Sequence, residues 1–278
     1  MKKILSMLFV MSISLALVSS TGFAAKKDKE NSGKNVKTEQ KVTVKDSKKN
    51  RKAFNLAMNA ASTGDFDAVK KIIEKSNIDI NWTDENGTTL LMKACCNTNL
   101  DLVKYLIENK ADITLTDKNN YNALMYAVEK SNLDIVSYLF EDSTIDINSL
   151  TADKMGLLSL AVKNSDFRIL RYLAENQSFD TNSANDKGQT VILLAAGNGN
   201  LDAVRYLVDN KADVSAKDNN GNNVLMYAAS SGNLELVRYL ANSAIVDINE
   251  KNNDGKTAND IAIAHNQAEI AKFLSQKV

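Results

Sequence analysis

Residues 188–214 read GQTVILLAAGNGNLDAVRYLVDNKADV, and this stretch decides the fold. Thr190 suits a helix N-cap, because its hydroxyl can accept a bond from a free backbone N–H of the first turn. Apolar residues then recur at helical spacing up to Gly199, a residue that tolerates the left-handed conformation of a helix stop. Asn200 can cap a second helix, which carries an apolar stripe of its own. The stretch therefore predicts two short helices followed by an extended loop.

The same pattern recurs along the chain at a fixed period. Equivalent alanines are 33 or 34 residues apart, at Ala60, Ala94, Ala127, Ala161, Ala195, Ala228 and Ala262. An aromatic residue recurs in step in six of the second helices, at Tyr105, Tyr138, Tyr172, Tyr206, Tyr239 and Phe273. This regular series is interpreted as packing between neighbouring second helices rather than as a ligand platform. The period predicts seven units, none of which buries enough apolar surface to be stable alone.

The unit resembles the ankyrin repeat, and the resemblance covers roughly residues 50–278. It implies an all-α solenoid of helix-turn-helix units with hairpin-like loops, whose work is to bind other proteins. The family's usual Thr-Pro-Leu-His opening is absent: residues 89–92 read TLLM, and the chain contains no proline. The ankyrin-repeat domain is expected over 51–278, with repeats at about 51–83, 84–116, 117–150, 151–184, 185–217, 218–251 and 252–278.

The first residues predict an exported protein. Lys2 and Lys3 precede an apolar run from Ile4 to Val18, and small residues then mark a cleavage point after Ala24. This order is typical of a secretory signal peptide over 1–24. The alternative is a retained anchor, but the run is shorter than the roughly 20 residues that span a bilayer. The mature chain is expected to be periplasmic or secreted, without stable membrane insertion.

The zero net charge of the chain hides an asymmetry. Residues 1–24 carry +2 and Ala25–Arg51 carry +6, which leaves −8 for Lys52–Val278. The lysine-rich segment 25–50 has few large apolar residues, so it is predicted to be a disordered spacer. An alternative function follows, in which this spacer tethers the protein to an anionic cell envelope. The acidity of the remainder argues against nucleic acid as a partner.

The resemblance also implies where a partner is contacted: at the loop tips and at the exposed residues that end the first helices. Tyr121 is the strongest single candidate, because it puts an aromatic side chain on an expected exposed tip. For each position the alternative is a side chain that merely solvates the surface, and for Trp82 the alternative is packing. The expected tip contacts are Trp82, Glu85, Thr88, Lys118, Tyr121, Asp153, Met155, Asp186, Lys187, Gln189, Asn219 and Asn222. The expected helix contacts are Cys96, Asn97, Glu129, Lys130, Lys163, Asn164, Asn198, Ser230 and Ser231.

No pattern of catalytic residues stands out. His265 is the one histidine, and no nucleophile–histidine–carboxylate set can be built around it. Cysteine occurs only at Cys95 and Cys96, which leaves open a redox-responsive function through an exposed thiol at Cys96. No metal or cofactor is expected. The sequence predicts a monomeric, non-catalytic scaffold for one or more proteins, with the envelope tether and the redox sensor as alternatives.

Overall fold

The structure is a computed structural model that describes residues 36–164, 166–175, 179–243 and 246–277, with side chains from Lys48 onward. The chain divides into two units, 1–45 and 46–278. The predicted signal peptide and residues 25–35 of the predicted spacer lie outside the described residues. Within the described ranges, no helix combines the length and the apolar character needed to cross a bilayer.

Fourteen helices follow one another in the described part of the chain, and they form seven consecutive pairs. The first helices pack in a row, α3 on α5 and onward to α11 on α13, and second helices pack beside them in a second layer, as α4 does on α6 and α6 on α8. The only β-structure in the described ranges is an isolated bridge between Thr83 and Thr89. The helices are α1 Val36–Thr63, α2 Phe66–Lys75, α3 Leu90–Ala94, α4 Leu100–Glu108, α5 Ala123–Glu129, α6 Leu133–Phe140, α7 Leu157–Lys163, α8 Phe167–Ala174, α9 Val191–Gly197, α10 Leu201–Asp209, α11 Val224–Ser231, α12 Leu234–Asn242, α13 Ala258–Ala264 and α14 Ala268–Ser275.

Helix α1 starts earlier than expected. It begins at Val36, although the spacer was predicted to be disordered through residue 50. Residues 36–50 contain neither glycine nor proline, the two residues that most strongly oppose a helix. The expectation of disorder therefore does not hold from Val36 onward, where the backbone is helical.

Asparagines at the start of the second helices join neighbouring pairs. Asn233 Oδ1 accepts from the backbone N–H of Leu236 and so caps α12, while its Nδ2 donates to the Gly199 carbonyl of the preceding pair at 2.7 Å. Asn99 acts in the same way, capping α4 and donating to the Gly64 carbonyl at 2.9 Å. A single amide thus satisfies one orphan donor of its own helix and one carbonyl of its neighbour.

Thr190 departs from its predicted role. It occupies the N-cap position of α9, but its hydroxyl makes no capping bond. Its Oγ1 is buried and has no hydrogen-bond partner among the described residues. The equivalent Thr89 does cap α3, where its hydroxyl accepts from the Met92 backbone N–H at 3.2 Å. The sequence pattern therefore located the start of α9 correctly but not the bond that stabilises it.

The aromatic series packs between second helices, as predicted. The Tyr105 ring meets Phe66 of the preceding pair edge-on, with centroids 5.4 Å apart, and Tyr206 meets Phe167 at 5.7 Å. The Arg205 guanidinium lies over the Tyr239 ring at 5.2 Å. These contacts add aromatic and cation–π attraction to the burial of apolar surface between pairs.

Candidate functional site

Successive loop tips are linked by backbone hydrogen bonds. Each of these bonds runs from an N–H of one tip to a carbonyl of the preceding tip. The donor–acceptor pairs are Lys118 to Asn86 at 2.9 Å, Ala152 to Asn119 at 2.8 Å, Asp186 to Asp153 at 3.2 Å, Asn219 to Lys187 at 3.0 Å and Asn253 to Asn220 at 2.9 Å. The tips therefore form one continuous array. We call the surface made by these tips and by the exposed ends of the first helices the tip face.

The tip face contains a cavity of about 460 Å³ between the fifth, sixth and seventh pairs. Its apolar lining comes from Met226, Tyr227 and Ile261, and its polar lining comes from the tips, Ser230 and His265. The size lies within the range of small-molecule and side-chain pockets. Six of the predicted contact residues line it, namely Asp186, Lys187, Gln189, Asn219, Asn222 and Ser230.

A buried carboxylate fixes the aromatic ring in this lining. Asp218 Oδ2 accepts from the Tyr227 hydroxyl at 2.9 Å and from Asn222 Nδ2 at 3.0 Å. The same hydroxyl accepts a bond from Gln189 Nε2 at 2.7 Å, so two adjacent tips hold it. Burial, with the Asp218 carboxylate as a further cause, raises the pKa of Tyr227 to about 12. The ring is therefore a neutral and rigid part of the surface.

The third pair repeats this arrangement with one difference. The Tyr126 hydroxyl donates to Asp117 Oδ2 at 2.7 Å, as Tyr227 does to Asp218. Here, however, the Tyr121 ring packs against Tyr126, with centroids 5.5 Å apart. Tyr121 is half-buried, and burial first, then the nearby Glu129 carboxylate, raises its pKa to about 12. The expectation of an exposed aromatic tip at Tyr121 is corrected, because this side chain is half-buried.

Two other expected tip residues are buried. Thr88 is 3% exposed and Met155 is 4% exposed, so neither offers the surface of a partner contact in this structure. The Thr88 backbone N–H donates to Asp84 Oδ1 of its own tip at 2.9 Å. Met155 turns its apolar side chain into the core. Trp82 is half-buried and packs edge-on against Phe54, which agrees with the packing alternative.

The remaining expected contacts differ in how free their side chains are. Asn97 and Asn198 donate their amides to the Ala61 and Val162 carbonyls of the preceding pair, each at 2.6 Å, and so serve the joints between pairs. Exposed side chains are Glu85, Lys118, Lys130, Asp153, Lys163, Asp186, Lys187, Asn198 and Asn219. Half-buried ones are Cys96, Asn97, Glu129, Asn164, Gln189, Asn222, Ser230 and Ser231.

Sequence reasoning missed Tyr126 and Tyr227. Each stands nine residues after an aspartate, and the segments 117–128 and 218–229, DKNNYNALMYAV and DNNGNNVLMYAA, are closely similar. A comparison between units, rather than of each unit with the general pattern, would have found this Asp–Tyr pair. Ile261 and His265 were not among the expected contacts either, although His265 stands at the helix position that Asn198 and Ser231 occupy in the two preceding pairs.

The two thiols lie in unreactive surroundings. Cys95 is buried and Cys96 is half-buried, and burial is the largest cause that raises the pKa of each thiol. Because a raised pKa lowers the thiolate fraction at neutral pH, we expect both to react more slowly with Ellman's reagent at pH 7 than in the denatured chain. The rate should rise only as the pH passes above the usual range for cysteine. Rapid labelling of either thiol at pH 7 would contradict the expected slow reaction and would support the redox-responsive function.

Comparisons with known proteins agree with this architecture. A family model described as "Ankyrin repeats (3 copies)" matches residues 57–151, 158–252 and 211–278. The chain belongs to the ankyrin-repeat family. The fold class predicted from the sequence is thereby confirmed, and ankyrin repeats are typically protein–protein interaction scaffolds.

Individual relatives cover different shares of the chain. Over 52 residues, 19% of this chain, it is 44% identical to palmitoyltransferase akr1 of Schizosaccharomyces pombe, but this is only 8% of that protein. The solved ankyrin repeat domain of Bcl-3, an IkappaB family member, matches with a TM-score of 0.60 and 23% identity over 78% of this chain and 97% of that one. A chain from the solved complex of the predatory endopeptidase Bd0816 with immunity protein Bd3460 of Bdellovibrio bacteriovorus matches with a TM-score of 0.55 and 27% identity, over 80% and 98%.

Proposed function

We propose that this chain is an exported scaffold of seven ankyrin repeats that binds one protein through its tip face and catalyses nothing. The observation that carries the proposal is the cavity between the fifth and seventh pairs, around which six independently expected contact residues converge. An apolar floor within a polar rim is the usual anatomy of a protein interface. The linked tips hold this surface in one geometry, which lowers the entropy lost on binding.

The likeness to known proteins supports a protein as the partner. Ankyrin repeats typically act as interaction scaffolds, and one structurally similar chain comes from a complex of an endopeptidase with an immunity protein. The brief identity with a palmitoyltransferase supports no enzymatic activity, because it covers only repeat sequence. A monomer that engages one partner at a time is the simplest arrangement consistent with this proposal.

The compartment is proposed from the sequence. The charged, apolar and small-residue order of 1–24 supports cleavage and release into the periplasm or beyond. The net charge of −8 over Lys52–Val278 supports a partner other than nucleic acid. Neither the envelope tether nor the redox alternative gains a specific supporting observation, and the raised pKa values of both thiols weigh against the second.

The test is capture of a partner from the exported fraction of cells that produce the native protein. We expect a stoichiometric protein with wild type and a loss of about tenfold or more with the double variant Lys187→Ala and Ser230→Arg, because these changes remove a cation and fill the cavity mouth. No partner under gentle conditions would overturn the proposal.

Ser137→Arg is a matched control for the arginine. Ser137 and Ser230 are both half-buried, and each hydroxyl donates to the carbonyl three residues earlier in its helix. Ser137 lies on a second helix, away from the tips, at a position where other second helices carry Lys104, Arg171, Arg205 and Arg238. The control should bind like wild type, and equal losses in both variants would count against the tip face.

A further inference from the structure

The third and sixth pairs are two versions of one surface. Their equivalent residues are 101 positions apart, so that Asp117 corresponds to Asp218, Met125 to Met226 and Tyr126 to Tyr227. In both, the tyrosine hydroxyl donates to the buried aspartate, at 2.7 Å and 2.9 Å. The main difference lies at the tip, where Tyr121 of the third pair corresponds to Asn222 of the sixth.

In the third pair the chain supplies its own aromatic side chain. The Tyr121 ring packs against the Tyr126 ring in a tilted arrangement, with centroids 5.5 Å apart and planes inclined by 56°. The raised pKa of Tyr121 arises from burial and from the nearby carboxylates of Glu129, Asp153 and Asp117. The half-buried ring therefore packs against Tyr126 with these carboxylates nearby, and we call the space that it fills the slot.

In the sixth pair the same slot is open. The Asn222 side chain is shorter and carries no ring, and its amide is held in place because its Nδ2 donates to Asp218 Oδ2 and its Oδ1 accepts from Asn252 Nδ2 at 2.7 Å. Ser230 stands where the third pair has Glu129, which removes a carboxylate from the slot. Asn222, Tyr227 and Ser230 all line the cavity of about 460 Å³, so the open slot forms part of that cavity.

We infer that the cavity over Tyr227 receives a tyrosine side chain of the protein partner, seated on Tyr227 as Tyr121 is seated on Tyr126. The inference rests on the proposed function, because it names the chemical group by which that partner is recognised. Aromatic pairs prefer tilted arrangements with centroids about 4.5–7 Å apart, a range that the internal Tyr121–Tyr126 pair meets. Ser230, Lys187 and His265 at the edge can bond to the phenol hydroxyl of an incoming tyrosine, which a phenylalanine lacks.

The inference is tested by exchanging the tip residues Tyr121 and Asn222 and measuring the binding of p-cresol, a small molecule with the ring and hydroxyl of tyrosine. Full-length protein with isotope-labelled methionine methyl groups allows NMR to follow each slot separately. Met226 lines the open slot of the sixth pair, and Met125 is the equivalent residue of the third pair. In wild type we expect a saturable shift of the Met226 methyl signal, with a dissociation constant on the order of millimolar for so small a ligand. Asn222→Tyr, which closes the slot, should abolish it.

The reverse change supplies the matched control. Tyr121→Asn should open the third-pair slot and add a saturable p-cresol shift at Met125, while the Met226 response stays as in wild type. If Tyr121→Asn unfolds, the result with Asn222→Tyr is sufficient to test the inference. This second variant should fold, because the third pair already carries a tyrosine at the equivalent position. No saturable shift at Met226 in wild type, or the same shift in Asn222→Tyr, would overturn the inference.

The two proposals fail in different ways. Partner capture that is lost with Lys187→Ala and Ser230→Arg but unchanged with Asn222→Tyr would uphold the proposed function and refute the tyrosine slot. Binding of p-cresol at Met226 without any captured partner would uphold the slot and refute the proposed function. If the partner is found, replacing its contacting tyrosine by alanine should weaken binding by about tenfold or more.

Discussion

Replacing Leu124 by alanine is expected to lower the free energy of unfolding by about 2–5 kcal/mol. Leu124 is fully buried in α5, which packs against α6 of its own pair and against α3 and α7 of the neighbouring pairs. The truncation leaves a cavity that these neighbours cannot fully close, because each helix is held from two sides. Denaturant unfolding followed by circular dichroism at 222 nm measures the change.

Leu56→Ala is the control for this prediction. The same atoms are removed, but Leu56 is 52% exposed, so the loss should stay below about 1 kcal/mol. In a repeat array stability is shared through interfaces between neighbours, so the Leu124 variant should also weaken the adjacent pairs. Equal losses in the two variants would contradict the view that contacts between pairs stabilise the array.

The periodicity of the sequence was sufficient to predict the fold, because adjacent first helices pack in the same way in every unit. An alanine at Ala94, Ala161 or Ala228 is buried in each case, since a larger side chain would hold adjacent first helices apart. The polar residues that begin second helices, such as Asn99 and Asn233, were equally readable as caps. The second hydrogen bond of these asparagines, to a carbonyl of the preceding pair, could not be predicted, because a cap pattern describes one helix and not its neighbour.

The tip residues were harder to predict because their burial depends on the next unit. Lys118, Met155 and Thr88 all occupy expected tips, yet only the lysine is exposed. A long charged side chain stays in water at little cost, whereas methionine gains free energy by turning inward. Thr88 is buried as well, although the local sequence pattern does not distinguish it from an exposed tip residue. The face could be named from sequence, but the individual contacts could not.

The link between tips makes Gly188 sensitive to substitution, and Gly188→Ala is expected to lower the free energy of unfolding by about 2–4 kcal/mol. Gly188 has a φ of +75°, a left-handed conformation that disfavours any Cβ. A Cβ there would also lie 2.7 Å from the Asn219 backbone nitrogen, and that nitrogen donates to the Lys187 carbonyl. Relief requires the two tips to separate, which would weaken their hydrogen bond and widen the cavity edge.

Gly255→Ala separates the two causes of the loss expected in Gly188→Ala, namely the left-handed backbone conformation and the contact with the next tip. Gly255 has a nearly identical φ of +74°, but nothing lies within 4 Å of a Cβ at that position, because no described tip follows it. It should lose only the backbone contribution of about 1–2 kcal/mol, so the difference between the variants, measured by denaturant unfolding, reports the contact between tips. A larger loss in Gly255→Ala than in Gly188→Ala would show that the tips are not held by one another. The backbone bond from Asn219 to Lys187 would then contribute little to the arrangement of the tips around the cavity, and the side-chain bonds from Asn219 to the Asp186 carbonyl and from Gln189 to Tyr227 would have to maintain it.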